Sequence, residues 1–202
     1  KEFFEKTFGC CRFVYNYYLD EKQRLWREWR DTLSYNQMSK DLSSYLKREY
    51  SWLKDADSIA LQQSLRHLDR AYDNFFKKRG GYPKFKSKRY KQSYRTMNIN
   101  ANISIDGDSI TLPKAGRVKI VNTRDFDGRI ISATVSRTSS GRYYISLQVE
   151  EEYEILPNDG GSIGLDAGLK SLYTTSDSDI YPNPKTLSLH EKRMKRLLTA
   201  ML

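Results

Sequence analysis

The sequence contains few of the residues that form disulfides or bind metals. Its two cysteines are neighbours, Cys10 and Cys11, and its two histidines, His67 and His190, lie far apart. Adjacent cysteines rarely pair and no Cys-x-x-Cys spacing occurs, so we expect reduced thiols and a reducing, cytoplasmic compartment. No apolar run approaches the roughly 20 residues of a membrane-spanning helix, so we expect no membrane partner.

Acidic residues are missing from one long stretch, residues 74–105, which we call the basic segment. It has no Asp or Glu but carries nine cations: Lys77, Lys78, Arg79, Lys84, Lys86, Lys88, Arg89, Lys91 and Arg95. Removing these nine from the 35 Lys and Arg leaves 26, against 25 Asp and Glu, so nearly all of the net charge of +10 lies here. A cationic stretch without internal acids is suited to bind an external polyanion.

Aromatic residues are interleaved with these cations. They are Phe75, Phe76, Tyr82, Phe85, Tyr90 and Tyr94. Cations bind phosphates without regard to sequence, and aromatic faces stack on unpaired bases at about 1–3 kcal/mol per base. The basic segment therefore predicts nucleic-acid binding, and a plain solvated face is the weaker alternative.

The first third of the chain has helical periodicity. Apolar residues at three- and four-residue steps predict a helix from Phe3 to about Arg30. Ser34 with Gln37 matches a capping box and predicts a second helix with the apolar stripe Met38, Leu42, Tyr45 and Leu46. Asp57 or Ser58 would cap a third helix, whose seam is Leu61, Leu65, Leu68, Tyr72 and Phe75.

After Pro83 the pattern changes to that of short strands. Alternating apolar residues predict a strand over 92–105, a turn at Asp106-Gly107, strands at Ser109–Leu112 and Arg117–Val121, and a hairpin joining 130–137 to 142–151. Strands at this spacing are typical of a small antiparallel barrel or sandwich. Pro157 and Gly160-Gly161 indicate a linker over 154–161, followed by strands at 162–166 and 169–175 and a helix from Leu187 to Leu202.

One carboxylate stands at the end of an apolar strand between glycines, in the sequence Gly164-Leu165-Asp166-Ala167-Gly168. Mg²⁺ prefers oxygen ligands and usually takes one or two carboxylates plus substrate phosphate. Asp166 is therefore a candidate catalytic residue and Mg²⁺ ligand. An ordinary Asp-x-Gly turn at a strand end is the open alternative.

Seven segments in order resemble TnpB, also called OrfB, the family of RNA-guided nucleases from insertion sequences that is related to type V CRISPR effectors. The segments are residues 7–16, 60–65, 71–76, 81–88, 93–96, 112–114 and 164–170. The resemblance covers nearly the whole chain. It implies an α+β protein with a helical recognition lobe (1–79), a small antiparallel β-barrel called the wedge domain (80–156), and the first strands of an RNase H-like RuvC nuclease domain (157–202).

The resemblance also implies partners and sites. The family binds a guide RNA and double-stranded DNA with a target-adjacent motif, acts in transposition and DNA recombination, and is prokaryotic and nucleoid-associated. Asp166 matches the first catalytic Asp, while Tyr35, Gln62 and the 93–100 stretch match positions near the motif. The implied nucleic-acid-binding residues are Tyr35, Gln62, Lys77, Lys78, Arg79, Tyr82, Lys84, Phe85, Lys86, Lys88, Arg89, Tyr94, Arg95 and Asn98.

The chain departs from the family pattern after Asp166. The resemblance implies that the family needs a later Glu, a second Asp and a zinc ribbon with paired Cys-x-x-Cys, and that this sequence ends before all of them. We therefore expect an N-terminal fragment with an incomplete Mg²⁺ site, with zinc only in a missing part, that does not cleave DNA alone. Two alternatives stay open: a non-cleaving nucleic-acid-binding remnant or regulator of the same family, and a ribosomal-type RNA-binding domain, which would explain the charge but not Asp166.

Overall fold

The computed structural model describes residues 1–89, 91–153 and 160–199. The chain forms two compact units, Lys1–Glu152 and Tyr153–Leu202. Helices and antiparallel sheets both occur, which confirms the α+β class. Tyr90, most of the predicted linker (154–159) and the end of the predicted last helix (200–202) lie outside the described residues. The division at residues 79/80 and 156/157 stays a prediction.

The first helix, α1, spans Glu2–Trp29, as its apolar periodicity predicted. Its buried face includes Phe8, Cys11, Tyr15 and Tyr18, which recur at three- and four-residue steps. The helix ends at Arg30, whose left-handed backbone (φ 54°) lets its N–H bond to the carbonyl of Trp26.

A second helical stretch follows the predicted capping box at Ser34 and Gln37. It consists of α2 (Tyr35–Asp41), a π-helical turn (Leu42–Leu46) and α3 (Lys47–Glu49), and a 3₁₀ turn (Ser51–Asp55) follows. The predicted stripe is wrong at Tyr45, which is 52% exposed. The π turn explains this, because its i→i+5 bonds widen the helix and rotate later side chains out of the 3.6-residue register.

Helix α4 spans Ser58–Phe76 and is capped by the side chain of Asp57, which accepts from the N–H of Ile59. Leu61, Leu65 and Leu68 of the predicted seam are fully buried. The last turn of the seam, at Tyr72 and Phe75, is only half-buried.

Six strands follow in the first unit: β1 (Gln92–Met97), β2 (Ser104–Asp106), β3 (Ser109–Leu112), β4 (Gly116–Lys119), β5 (Arg129–Arg137) and β6 (Tyr143–Glu150). They form two antiparallel three-stranded sheets with the orders β1-β5-β6 and β2-β3-β4. Among the described strands no sheet closes on itself, so the predicted barrel is corrected to two open sheets.

The predicted strand over 92–105 is interrupted. Asn100 and Ala101 both have positive φ, which breaks the extended backbone between β1 and β2. The side chain of Asn98 stabilises this turn, donating to the carbonyl of Ile130 (2.8 Å) and accepting from the N–H of Ile103 (3.0 Å). The alternation of Ile99 and Ala101 with later isoleucines suggested one strand because apolar spacing does not report backbone dihedrals.

Helices and sheets of the first unit share one core. Tyr94 of β1 is 4% exposed and packs against Phe4 and Phe8 of α1, at centroid distances of 6.4 and 5.8 Å. Asp57, the cap of α4, accepts a short hydrogen bond from the hydroxyl of Thr96 in β1. The helical face is therefore fixed relative to β1.

The second unit contains β7 (Leu165–Ala167), β8 (Ser171–Thr175) and β9 (Ile180–Pro182) in an antiparallel sheet, then α5 (Thr186–Thr199). The sequence predicted the first two strands and the helix but not β9. The RNase H-like assignment stays a prediction. No described helix has the length and apolarity needed to cross a membrane.

Candidate nucleic-acid interface

The part of the basic segment that follows α4 is anchored on α1. The side-chain amide of Asn16 donates to the carbonyl of Lys86 (2.9 Å), and its oxygen accepts from the N–H of Lys86 (2.8 Å). The ammonium group of Lys86 lies 4.0 Å from the ring centroid of Tyr15. Further back, the hydroxyls of Tyr82 and Tyr72 are 3.2 Å apart. These contacts hold an extended chain in place without using its other cations.

Most cations of the basic segment have no carboxylate partner. Lys77 pairs with Asp73 of α4 at 2.6 Å. Within the described ranges no other cation of the segment forms an ion pair. The exposed ones include Lys78, Arg79, Lys84, Lys88 and Arg89. Surface cations without carboxylate partners, on a chain that is held in place, can bind the phosphates of a nucleic-acid backbone.

A basic crevice of about 390 Å³ lies where α1, α4, the anchored chain and β1 meet. Its cationic lining residues are Arg12, Lys84, Lys86, Lys91 and Arg95. His67 of α4 also lines it, and burial, together with nearby Lys86 and Arg70, lowers the pKa of the imidazole. Burial likewise lowers the pKa of Lys86. The crevice thus combines several cations with an imidazole whose charged form is disfavoured.

The residues of β1 and the turn after it that were expected at the interface make contacts within the protein. Tyr94 is a core residue, and this burial corrects its predicted role as a base-stacking contact. The guanidinium of Arg95 donates to the hydroxyl of Ser132 (3.0 Å) and to the side-chain oxygen of Gln148. Asn98 uses both amide atoms to stabilise its own turn. Arg95 and Tyr94 both line the crevice, but Tyr94 is almost fully buried there.

Tyr35 and Gln62 lie on one side of α4. The guanidinium of Arg66 lies 4.5 Å from the ring centroid of Tyr35. Gln62 is half-buried one helical turn before Arg66, so the two side chains share a face. Phe85 and Tyr82, two other expected contacts, are exposed by 50% and 46%.

Asp166 lies on β7, opposite Thr174 of β8, and is exposed. Gly164 beside it is held by Ser176, which accepts from the N–H of Gly164 (3.1 Å) and donates its own N–H to the Gly164 carbonyl (2.8 Å). Across the described parts of the chain, no three His, Cys, Asp or Glu residues are grouped as a metal site would need. The role of Asp166 as a catalytic residue and Mg²⁺ ligand stays a prediction.

Sequence reasoning missed the residues that α1 and α4 contribute. Arg12, Asn16, His67 and Arg66 all reach the interface from α1 and α4, where Gln62 was the predicted contact before the last turn of α4. A signal existed at Arg12 and Asn16, because these polar residues are one turn apart beside the buried stripe. Their contact with the chain near Lys86, 70 residues later for Asn16, is a tertiary feature.

Fold and surface together define the class: an α+β protein with an anchored, unpaired cationic segment beside a basic crevice. A family model described as a helix-turn-helix domain, that of OrfB-type insertion-sequence proteins, matches residues 1–31. In this structure the matched residues form the single helix α1 and its end.

Three relatives are similar to this chain. "Putative RNA-guided DNA endonuclease InsQ" of Escherichia coli (strain K12) is 35% identical over 191 residues, covering 94% of this chain and 47% of the relative. "Putative RNA-guided DNA endonuclease" of Streptomyces pristinaespiralis is 35% identical over 191 residues, covering 93% and 46%. "Virulence protein VsdF" of Salmonella dublin is 36% identical over 97 residues, covering 43% and 82%.

These matches agree with the resemblance carried by the seven sequence segments. The chain belongs to the TnpB (OrfB) family of insertion-sequence proteins. It spans about half the length of the first two relatives.

Proposed function

We propose that this chain supplies the nucleic-acid-binding surface of an RNA-guided DNA endonuclease encoded by a mobile element. The basic segment and crevice bind the backbone of a guide RNA, and the side of α4 with Gln62 contacts duplex DNA beside a target-adjacent motif. The helices then correspond to the recognition lobe, the two open sheets to the wedge domain, and residues from 162 onward to the start of RuvC. Asp166 is proposed as one carboxylate of a Mg²⁺ site.

One observation carries the proposal: eight of the nine cations in the basic segment have no carboxylate partner among the described residues. Surface cations in a folded protein gain little from isolated ion pairs, so a structural role does not account for their concentration here. The chain-wide similarity to two relatives named as RNA-guided DNA endonucleases supports the choice of ligand. In related effectors, guide pairing reads sequence while the protein grips backbones.

The alternative is a guided binder that does not cut, and the isolated carboxylate of Asp166 favours it. We expect the 202-residue chain to leave a labelled duplex DNA intact in the presence of Mg²⁺ and guide RNA. Metal-dependent cleavage that disappears in an Asp166→Ala variant would refute this expectation.

Binding is tested by removing three exposed cations together, Lys84→Ala, Lys88→Ala and Arg89→Ala. Affinities for a labelled mixed-sequence RNA and a labelled mixed-sequence duplex DNA are measured by fluorescence anisotropy over a range of KCl concentrations. Each lost phosphate contact reduces the slope of log K against log salt by about 0.7 on a single strand and about 0.9 on duplex DNA. We expect the slope to fall by roughly 2 for RNA and, where all three contact it, by roughly 3 for DNA.

The matched control removes two lysines and one arginine that are also exposed: Lys40→Ala, Arg48→Ala and Lys119→Ala. It lowers the net charge equally, so a general electrostatic effect would appear in both triple variants. Equal salt slopes in the wild type and the first variant, or equal losses in both variants, would exclude the basic segment as the binding surface.

A further inference from the structure

An open aromatic pocket lies between the C-terminal halves of α1 and α4. It has a volume of about 540 Å³ and is lined mainly by Trp26, Asp69, Tyr72, Phe75, Phe76 and Tyr82. Small-ligand pockets typically measure about 300–1,000 Å³ and are mostly apolar with a few polar groups. This pocket is separate from the basic crevice in its lining residues.

The aromatic rings of the pocket are exposed or half-buried, and they pack against one another. Phe76 is 74% exposed and Trp26 is 54% exposed. Phe76 stacks on Tyr72 at 6.3 Å with an interplanar angle of 25°, while Tyr82 meets Phe75 edge-on at 5.2 Å. Exposed rings held in fixed orientations offer flat apolar faces, which suit a planar heterocycle.

The polar groups of the pocket include two carboxylates, of which one is paired. Asp73 is paired with Lys77, and the ammonium group of Lys22 donates to the carbonyl of Leu33. The carboxylate of Asp69 is exposed and makes no hydrogen bond or ion pair with any described residue. A ligand for this pocket should therefore be planar and should donate hydrogen bonds.

Cations beside the pocket indicate that its planar ligand carries phosphate groups. Lys77, Lys78 and Arg79 directly follow the pocket residues Phe75 and Phe76 in the chain, and the last two are exposed without a described ion pair. Cations next to aromatic faces are the arrangement that binds single strands, with phosphates on the cations and bases on the rings.

We propose that this pocket binds an unpaired guanine base of a single-stranded nucleic acid. Guanine presents two neighbouring N–H donors on its Watson–Crick edge, which match the two oxygens of Asp69. Adenine and cytosine each offer one amino group there, and the N–H of uracil is flanked by two carbonyl oxygens that a carboxylate repels. The inference rests on the proposed function and adds to it a base preference in the guide RNA.

The test uses labelled oligouridine strands with one central guanosine, inosine, adenosine or abasic residue, bound to the full chain. Wild type should bind the guanosine strand about tenfold more tightly than the abasic strand, which is within the range for one stacked base. Inosine lacks the exocyclic amine and should fall between them. The Asp69→Asn variant should lose the preference for guanosine over adenosine while retaining the advantage of both over the abasic strand.

A matched pair of variants distinguishes binding in the pocket from binding to any exposed aromatic ring. Phe76→Ala and Trp29→Ala each remove a ring from an end of a helix, and the two rings are 74% and 73% exposed. Trp29 does not line the pocket, so only Phe76→Ala should reduce the guanosine-to-abasic ratio toward one. Neither ring is buried, so both variants should fold.

Failure of this inference can be distinguished from failure of the proposed function. If wild type binds guanosine and abasic strands equally, while the basic-segment variant still shows a reduced salt slope, the pocket assignment is wrong and the proposed function survives. A cationic side chain of a protein partner would then be the better occupant. If wild type binds no strand at any salt concentration, both proposals are overturned.

Discussion

The buried pair Asp57 and Thr96 offers the most exacting test of how the first unit is held together. Asp57 is 5% exposed and Thr96 is fully buried. One carboxylate oxygen of Asp57 accepts from the N–H of Ile59 at 3.1 Å, and the other accepts from the hydroxyl of Thr96. A single side chain therefore caps α4 and joins that helix to β1.

We expect Asp57→Ala to reduce the free energy of unfolding by about 2–4 kcal/mol. Loss of an N-cap costs about 1 kcal/mol, and leaving the buried Thr96 hydroxyl without an acceptor costs about 1–3 kcal/mol. Asp57→Asn keeps an oxygen for the cap and an amide that can bond to Thr96, so it should recover most of the loss. Since a domain is stable by only about 5–15 kcal/mol, the alanine effect is large enough to measure.

Urea unfolding followed by tryptophan fluorescence reports on the first unit alone, because the three tryptophans, Trp26, Trp29 and Trp52, all lie in it. Thr96→Val supplies the second arm of a double-mutant cycle. The double variant should be less destabilised than the sum of the two single variants by about 1 kcal/mol or more, since the same bond is removed twice. Strict additivity, or a loss below about 0.5 kcal/mol for Asp57→Ala, would refute the reasoning.

Three further predictions follow from single features of the first unit. Burial raises the pKa values of Tyr17 and Cys11 to about 12, from 10.0 and 9.0, so the unfolded chain loses these protons at a lower pH than the folded protein does. The free energy of unfolding, measured by urea titrations at several pH values, should therefore fall from about pH 9 upward. A flat profile would contradict this prediction. Leu65→Ala should cost about 2–5 kcal/mol in the same assay, because the side chain is fully buried. Asn16→Ala removes the clamp on Lys86 without changing charge, so amide exchange at residues 84–88 should accelerate and nucleic-acid affinity should fall several-fold at an unchanged salt slope.

The sequence predicts the elements of this fold better than their arrangement. The start of α1, the capping box at Ser34 and the Asp57 cap are local signals, and the structure has all three. Tyr45 and the 92–105 strand were wrong because a π turn and two positive-φ residues change side-chain direction without changing apolar spacing. Barrel closure depends on which strand edges meet, which no local pattern reports.

At the candidate interface, too, the sequence predicts some features and not others. Charge composition identifies the basic segment, because an acid-free stretch needs no tertiary information to be seen. It does not distinguish Tyr94, buried against Phe8, from Tyr82, which is exposed, since both are aromatic residues among cations. Asn16, which fixes the chain at Lys86, has no charge or aromatic signal at all.

The structure distinguishes two properties of the basic segment: its attraction for phosphate, and its degree of order before a ligand binds. The exposed cations set how strongly the surface attracts phosphate, and this attraction weakens with salt. The Asn16 clamp and the packing of Tyr94 on Phe8 set how much order the segment already has before a ligand arrives. Ordering a loop on binding costs affinity independently of salt. The triple variant of Lys84, Lys88 and Arg89 should therefore change the slope of log K against log salt. The Asn16→Ala variant should instead lower the affinity by the same factor at every salt concentration. A surface that is both cationic and anchored, as in this structure, requires both results.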